Sequence, residues 1–403
     1  MAHKKPRILM VVENSYPDDP RVRKEAESLT DTREVTVIAL RKKGEKWVET
    51  VGDVRVIRVP EFPDLGLGKL NYMIQYLFFT LITLAVFLVT HPLKHYNVLH
   101  VHNPPDTLFV LGLVGRLLGT KFIYDLHDLS PELYLSRFNG REDLIYRILL
   151  TFERWSCRTA NVVITTNISY RDLIVGRHNL DPGRVFIVRN DPQIGEWKRI
   201  EEGQDKDADS DEEDDVKIGV YVGSINPQDG LDVLLGVVRK LVFERNRRDF
   251  VFHVLGSGDS LEDMKKMSAD LGVQDHVCFE GFVKDRSRIL DLMARAHVGV
   301  ESAPDNPVNR LSTFIKIMEY MMSSTPIVAF DLPESRYSAN GSAMLVPPGD
   351  LEGFADAVEA LFDDKELRTE IAAGGKARVI EHLNWNEAAK VLLDAYASIS
   401  PVK

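Results

Sequence analysis

Short runs rich in valine, isoleucine and threonine recur along the whole chain, and most are followed by a loop and an amphipathic stretch of helical period. Strands separated by helices cannot pair as hairpins. They pair in parallel through right-handed crossovers, so this alternation predicts an α/β fold. In the first half the runs are Arg7–Glu13, Glu34–Ala39, Val54–Val59, Val98–His102, Lys121–Asp125, Asn161–Thr165 and Arg184–Val188, with amphipathic stretches such as Pro20–Leu29 and Leu144–Cys157 between them. The pattern restarts at Lys217–Gly223 and continues through Phe250–Gly256, His276–Phe279, Val298–Ser302, Pro326–Asp331 and Ala343–Val346, with helices such as Glu262–Leu271 and Arg286–Ala296. A chain of 403 residues exceeds what one core usually supports. The expectation is two doubly wound, Rossmann-like domains, 1–190 and 217–384, joined by an acidic linker at 191–216. A final amphipathic helix, Asn386–Ile399, is expected to pack back on the first domain within 385–403. Ligands of such sheets sit beyond the carboxyl ends of the strands, which points to a cleft between the two domains.

Charge excludes nucleic acid as a partner: the net charge is −11. Most of it lies between Glu201 and Asp215, where ten acids accompany one lysine, and this run is expected to be a solvated loop. Two distant cysteines, Cys157 and Cys278, have no CxxC or CxxH partner, so neither a disulfide framework nor a zinc ribbon is expected. The apolar run Ile8–Val12 is too short for a signal-peptide core, and a cytoplasmic protein is expected. Residues 71–90 carry no charge and approach the length of a membrane span. Two readings stay open, a crossover helix buried on one face and a helix docked on a membrane surface, with Lys69, Lys94, Tyr72 and Tyr96 at its edges.

Leu311 to Tyr320 is the segment richest in chemistry. The polar loop Asp305–Arg310 opens a helix whose first-turn amides form a natural phosphate seat. Lys316 can add a point charge there, and Glu319, one turn on, can accept the two hydroxyls of a ribose. Asn309, Arg310, Ser312 and Thr313 complete this candidate donor site. An exposed helix with merely solvated Lys and Glu is the plain alternative.

Here the sequence resembles the retaining GT-B glycosyltransferases of family 4. Ser312, Lys316, Glu319, Tyr320, Met321, Pro326, Val328 and Ala329 match the family's helix pattern. Thr36–Ala39, His100–Pro104, Tyr124–Asp128, Thr165, Tyr221–Gly223, Leu255–Gly258 and Val346–Gly349 follow in its order. The resemblance implies that Glu319 holds the ribose, Phe282 and Val283 flank the base, and Gly223 and Ser224 lie under the phosphates, with Gly256 and Gly258 in the same donor site. It also implies that His127 approaches the sugar; independently, an imidazole just past a buried strand can donate to a sugar hydroxyl. Catalytic roles therefore fall to His127 and Lys316, and transfer is expected to retain the anomeric configuration. Two departures narrow the match. Leu311 stands where many members carry glutamate, and Gly223–Gly230 lacks their Arg and Lys, leaving Lys316 first, then Arg310 or the first-domain cations Arg21 and Lys24, to neutralise the leaving diphosphate.

The acceptor is assigned to the first domain. Arg21 and Lys24 share a helix face and could meet a phosphate or be ordinary surface cations. Asn103, Asp106 and Asp128, at neighbouring strand ends, are further candidates. The co-substrate expected is a UDP- or GDP-linked sugar, with no cofactor and no metal, because no dense Asp/His cluster stands out beyond the acidic loop. A lipid-linked acceptor fits the apolar 71–90 helix. Competing readings are an epimerase, a phosphorylase or a non-catalytic sugar-binding protein.

Overall fold

In the computed structural model the described residues are 5–66, 69–138, 140–195, 197 and 216–400. The acidic run 201–215 lies outside them. The chain forms two compact units: residues 1–190 with 386–403, and residues 191–385.

The first unit is built on an eight-stranded sheet. In chain order its strands are β1 (Arg7–Ser15), β2 (Glu34–Leu40), β3 (Val48–Val51), β4 (Val54–Val59), β5 (Val98–His102), β6 (Lys121–Leu126), β7 (Val162–Thr165) and β8 (Val185–Ile187). Their spatial order is β3-β4-β2-β1-β5-β6-β7-β8. All neighbours are parallel except β3 and β4. Strand β3 was not expected. It is a short edge strand closed by a turn at Gly52, and its exposed or half-exposed residues carry no buried-strand signature. All five residues of β5 are buried, as a central parallel strand covered on both faces requires.

Helix α1 (Pro20–Leu29) starts where the Asp19 carboxylate accepts from the Arg21 and Val22 amides and Pro20 fills the first turn. Helix α2 (Lys69–Lys94) is the crossover from β4 to β5. Those strands belong to one parallel sheet, so α2 must return alongside it and cannot leave to cross a bilayer. It buries the stripe Phe79, Thr83, Phe87 and His91. Helices α3 (Phe109–Leu117), α4 (Ser130–Arg137), α5 (Leu144–Thr159) and α6 (Ile168–His178) complete the crossovers.

The second unit has six parallel strands: β9 (Lys217–Val222), β10 (Phe250–Leu255), β11 (Val277–Gly281), β12 (Val298–Glu301), β13 (Ile327–Phe330) and β14 (Met344–Val346). Their order is β11-β10-β9-β12-β13-β14. One core gathers Leu234, Phe250, Phe252, Phe330, Phe354 and Phe362, and a second gathers Leu290, Met293, Ile317, Met318 and Tyr320. The helices are α7 (Leu231–Arg239), α8 (Leu261–Asp270), α9 (Arg286–Arg295), α10 (Ile315–Met322), α11 (Pro333–Ala339), α12 (Leu351–Asp363) and α13 (Lys365–Glu381). Helix α14 (Trp385–Ile399) belongs, from Asn386 on, to the first unit. There Tyr396 is fully buried, bonded through its hydroxyl to His100 Nδ1 at 2.8 Å and covered by the Arg33 guanidinium.

Candidate functional site

In the second unit three strand ends and one helix start converge. Gly223 leaves β9 with φ of +150°, donating its amide to Leu255. Gly256 donates to Gly281. A Cβ on Gly256 would lie 1.8 Å from the Gly223 carbonyl oxygen, and one on Gly258 would lie 2.3 Å from that of Ile225. These two glycines, expected as donor contacts, are thus needed for backbone to pass backbone.

Lys316 occupies the first turn of α10, which no side chain caps. Its Nζ lies 2.9 Å from Glu301 Oε2 and 4.0 Å from the centre of the Tyr221 ring. Burial alone would discharge this ammonium. Glu301, then Tyr221 and Tyr320, more than offset that and hold its pKa above the usual lysine range. The lysine is therefore not the isolated cation that was expected. Glu301, at the end of β12, is the partner missed from sequence; the signal was an acid closing the apolar run Val298–Val300. Its other oxygen accepts from the Ala303 amide at 2.8 Å. Gly223 faces the pair, since a Cβ there would meet Lys316 Nζ at 3.2 Å.

One turn on, Glu319 Oε1 lies 3.2 Å from Nη2 of Arg286, the first residue of α9. Arg286 was not anticipated. Phe282 is 70% exposed beside it in sequence, a free aromatic face, whereas Val283 packs on the second core. The loop before α10 is braced rather than open. Asn309 donates its side-chain amide to the Gln228 and Pro304 carbonyls, both at 2.8 Å, Ser312 bonds Val308, and Thr313 bonds Glu334. Arg310, the second choice for the diphosphate, is paired with Asp305. Its charge is spoken for.

In the first unit, several of the acceptor candidates are tied into the fold by hydrogen bonds, ion pairs or burial. Asn103 accepts from the His127 and Asp128 amides and donates to Asp106 and to the Asp128 carbonyl, so it locks the turn after β6. Asp106 is buried, bonded to Asn103 and the Tyr124 hydroxyl, and burial lifts its pKa to about 6. Arg21 pairs with buried Asp19, and Lys24 is itself buried. His127 turns Nε2 inward, 2.8 Å from Asp125 Oδ2 and 3.2 Å from His102 Nδ1, and its Nδ1 is buried without a hydrogen-bond partner. Glu25 faces the same nitrogen. The expectation that no dense His/Asp cluster exists is overturned. His102 closes β5, Asp125 lies on β6 with His127 just after it, and Glu25 comes from α1, so they become a cluster only once the strands pair and α1 packs on them.

A cavity of about 290 Å³ opens at the carboxyl ends of β1, β2 and β4, lined by Glu13, Asn14, Leu40, Phe62, Tyr72 and Tyr76. A larger one, about 480 Å³, lies at the amino ends around Arg7, Glu34 and Asp53, the wrong end for this fold's chemistry. Glu13 was not singled out from sequence. Burial, then Glu61, raises its pKa to about 8. In the native state it keeps its proton between pH 4.5 and about 8 whereas the unfolded chain loses it. Its contribution to stability is thus present at low pH and lost as pH rises through 8. Glu13→Gln is expected to remove that fall, making the protein about 1–3 kcal/mol more stable than wild type at pH 8.5 and little different near pH 5. Urea denaturation at both pH values checks this.

Two units, each built on a largely parallel sheet with crossover helices, are the architecture of the GT-B glycosyltransferases. Residues 19–191 match the model of the glycosyl transferase 4-like domain, and 216–364 that of the glycosyl transferases group 1. The chain belongs to the group 1, family 4 glycosyltransferases, and it is a hexosyltransferase. It is similar to the α-D-kanosaminyltransferase of Streptomyces kanamyceticus, 27% identical over 74% of this chain and 76% of that one. It is 29% identical to the phosphatidyl-myo-inositol mannosyltransferase of Mycolicibacterium smegmatis over 43% of each chain. Among solved structures, Anabaena HepE in complex with UDP-glucose superimposes with a TM-score of 0.70 at 14% identity, over 97% of this chain and 99% of that one.

Proposed function

We propose that the chain moves a hexosyl group from a UDP- or GDP-linked donor, held in its second unit, to a lipid-linked or polysaccharide-precursor acceptor, with retention. The observation that carries this is the Lys316–Glu301 pair under Gly223, one helical turn from Glu319. In this reading the uncapped first turn of α10 and the Lys316 ammonium receive the diphosphate, and Glu301 fixes the ammonium in place. Glu319 takes the ribose hydroxyls and the open face of Phe282 stacks the base. No step needs a metal. Departure of the diphosphate builds charge at the α10 terminus, where fixed dipoles stabilise it without reorganisation. The acceptor enters the cavity beside Glu13. The UDP-glucose-bound neighbour supports the donor class.

The donor half is tested by a melting screen with UDP-, GDP- and ADP-sugars. At least one should raise the melting temperature. Glu319→Ala should weaken that donor on the order of 100-fold, since two hydrogen bonds to a charged group disappear. A flat screen sinks the proposal.

The acceptor class rests on α2. It buries one stripe but exposes another: Met73, Leu77, Leu81, Leu88 and Leu93, with Val89 70% exposed. Leu113, Leu117 and Leu118 on or just after α3 are also exposed, and Tyr72 and Tyr76 line the cavity. An apolar surface leading to a cavity suits an acceptor whose lipid stays in the membrane while its head group is glycosylated. The mannosyltransferase relative, whose name specifies a phosphatidylinositol acceptor, agrees. Free Cys157 and Cys278 fit a reducing, cytoplasmic setting. The double variant Leu77→Asp, Leu81→Asp should cut co-sedimentation with anionic liposomes at least tenfold, because each lost apolar contact is worth roughly 1.5–3 kcal/mol. Unchanged binding would assign the stripe to another purpose.

A further inference from the structure

Two carboxyls and no cation line the cavity beside Glu13. It holds about 290 Å³ at the carboxyl ends of β1, β2 and β4, and among the described residues its lining includes Glu13 and Glu61 but no lysine, arginine or histidine. Aromatic rings form much of the rest. Tyr72 and Tyr76, one turn apart on α2, share a helix face, and Phe62 packs against Phe78 with ring centres 5.2 Å apart.

The backbone singles out Glu13. Strand β1 pairs with β2 residue for residue from Arg7 to Val11, and then the register shifts: Val11 lies opposite Ile38 but Ser15 opposite Leu40. Glu13 sits in the middle of that irregularity, the kind of break in a ladder that re-aims a side chain beside a site. The amide side chains of the lining are committed elsewhere. Asn14 donates to Asp19 at 3.0 Å and accepts from the Ser15 amide at 2.8 Å, and Gln75 donates to the Phe62 carbonyl at 3.3 Å. The Glu13 carboxyl is half-buried and has no hydrogen-bond or ion-pair partner among the described residues. Burial, then Glu61, pushes its pKa up to about 8, so near neutral pH it can donate as well as accept.

A phosphate or carboxylate entering this space meets two carboxyls and no counter-charge, whereas anion sites are built from arginine, lysine or a run of backbone amides. A neutral sugar ring meets what it needs. Its C–H faces lie on aromatic rings, and a few placed polar groups fix its hydroxyls. We propose that the cavity is the subsite for an uncharged sugar ring of the acceptor, stacked on Tyr72 and Tyr76 with a hydroxyl bonded to Glu13, and that Glu13 sets this specificity. The inference rests on the reading that the acceptor enters here, and it narrows the acceptor to one whose charge lies outside the cavity. A phosphate joining the ring to a lipid stays outside with the lipid.

The test uses the full chain, confirmed folded by circular dichroism, and reads binding by saturation-transfer NMR without any donor. The probes are the methyl glycosides of glucose, mannose, galactose and N-acetylglucosamine, each beside its 6-phosphate. At least one neutral glycoside should bind at millimolar concentration, and its 6-phosphate should bind about tenfold more weakly or worse. Glu13→Ala and Tyr72→Ala should each raise the Kd of the neutral probe about tenfold, through loss of a hydrogen bond or of a stacked ring. Glu13→Gln keeps a donor and an acceptor in place and should stay within about threefold of wild type, a rescue that a merely electrostatic role would not give. Tyr72 is 56% exposed, so its variant keeps the test available should Glu13→Ala not fold. Phosphorylated probes that bind as tightly as neutral ones, yet still respond to Glu13→Ala or Tyr72→Ala, would leave the acceptor in the cavity and overturn the neutral-ring inference alone. Neutral binding indifferent to both alanine substitutions, or no binding by any probe, overturns it together with the cavity as the acceptor site.

Discussion

Lys316→Met is expected to lower kcat/KM for donor turnover by roughly 10²–10³-fold, the loss seen when one preorganised group facing developing charge is removed. The same change leaves Glu301 as a buried carboxylate without its cation, and removing one member of a buried pair typically costs about 3–5 kcal/mol. Activity and stability should therefore fall together, which alone would not separate chemistry from folding. The double variant Lys316→Met, Glu301→Leu separates them. Replacing both members by apolar groups of similar size should return stability to within about 1–2 kcal/mol of wild type, because the desolvation of two charges is also relieved. Catalysis should stay as low as in the single variant. Release of nucleoside diphosphate and urea denaturation, measured on all three proteins, give the two readouts. If the double variant regains turnover with its stability, Lys316 only holds the fold and the proposed role at the diphosphate is wrong.

Much of this architecture was legible because parallel strands announce themselves by composition. Val98–His102 and Val54–Val59 were delimited to the residue, since valine, isoleucine or leucine fills most of the buried positions of each and turn or polar residues bound it. Edge strand β3 escaped for the converse reason. At the candidate site the local pattern was legible: Lys316 and Glu319 stand one turn apart on one short helix. What failed was anything requiring a partner distant in sequence. Glu301 neutralises Lys316, Arg286 meets Glu319, and Asp305 holds Arg310. Asn103 and Asp106 looked like ligand-facing polar groups, but the backbone of the turn after β6 and the Tyr124 hydroxyl consume them. Glu25, His102 and the pair Asp125 and His127 lie on three separate segments, and only the packing of α1, β5 and β6 brings them together. The apolar run 71–90 resolved in a similar way. Helical pattern alone could not choose between a buried and a docked helix, and the fold shows one buried stripe and one exposed apolar stripe.

Gly256→Ala is expected to be among the most disruptive single substitutions in the second unit, although it adds one methyl group. Ordinarily a glycine in a loop tolerates alanine, and where φ is compatible the change even stabilises slightly. Here the obstacle is contact. The new Cβ would sit 1.8 Å from the carbonyl oxygen of Gly223, a backbone atom that no side-chain rotation can move. Gly223 is held in turn by its amide bond to Leu255, and Gly256 by its own to Gly281, so relief requires separating β9 from β10 or β10 from β11 at their carboxyl ends. Overpacking of this kind typically costs about 1–3 kcal/mol when side chains can yield, and a larger penalty is expected against backbone. The displaced residue is also the one facing Lys316, so donor-induced stabilisation should vanish even in the fraction that folds. Gly349→Ala offers the comparison: its Cβ would meet nothing within 4 Å, and the penalty there is only the strain of φ at +85°, roughly 1–2 kcal/mol. Melting temperatures with and without donor should rank wild type above Gly349→Ala and both well above Gly256→Ala. A Gly256→Ala protein as stable as Gly349→Ala would show that the two strand ends can part freely, and the cradle would then owe its shape to the ligand.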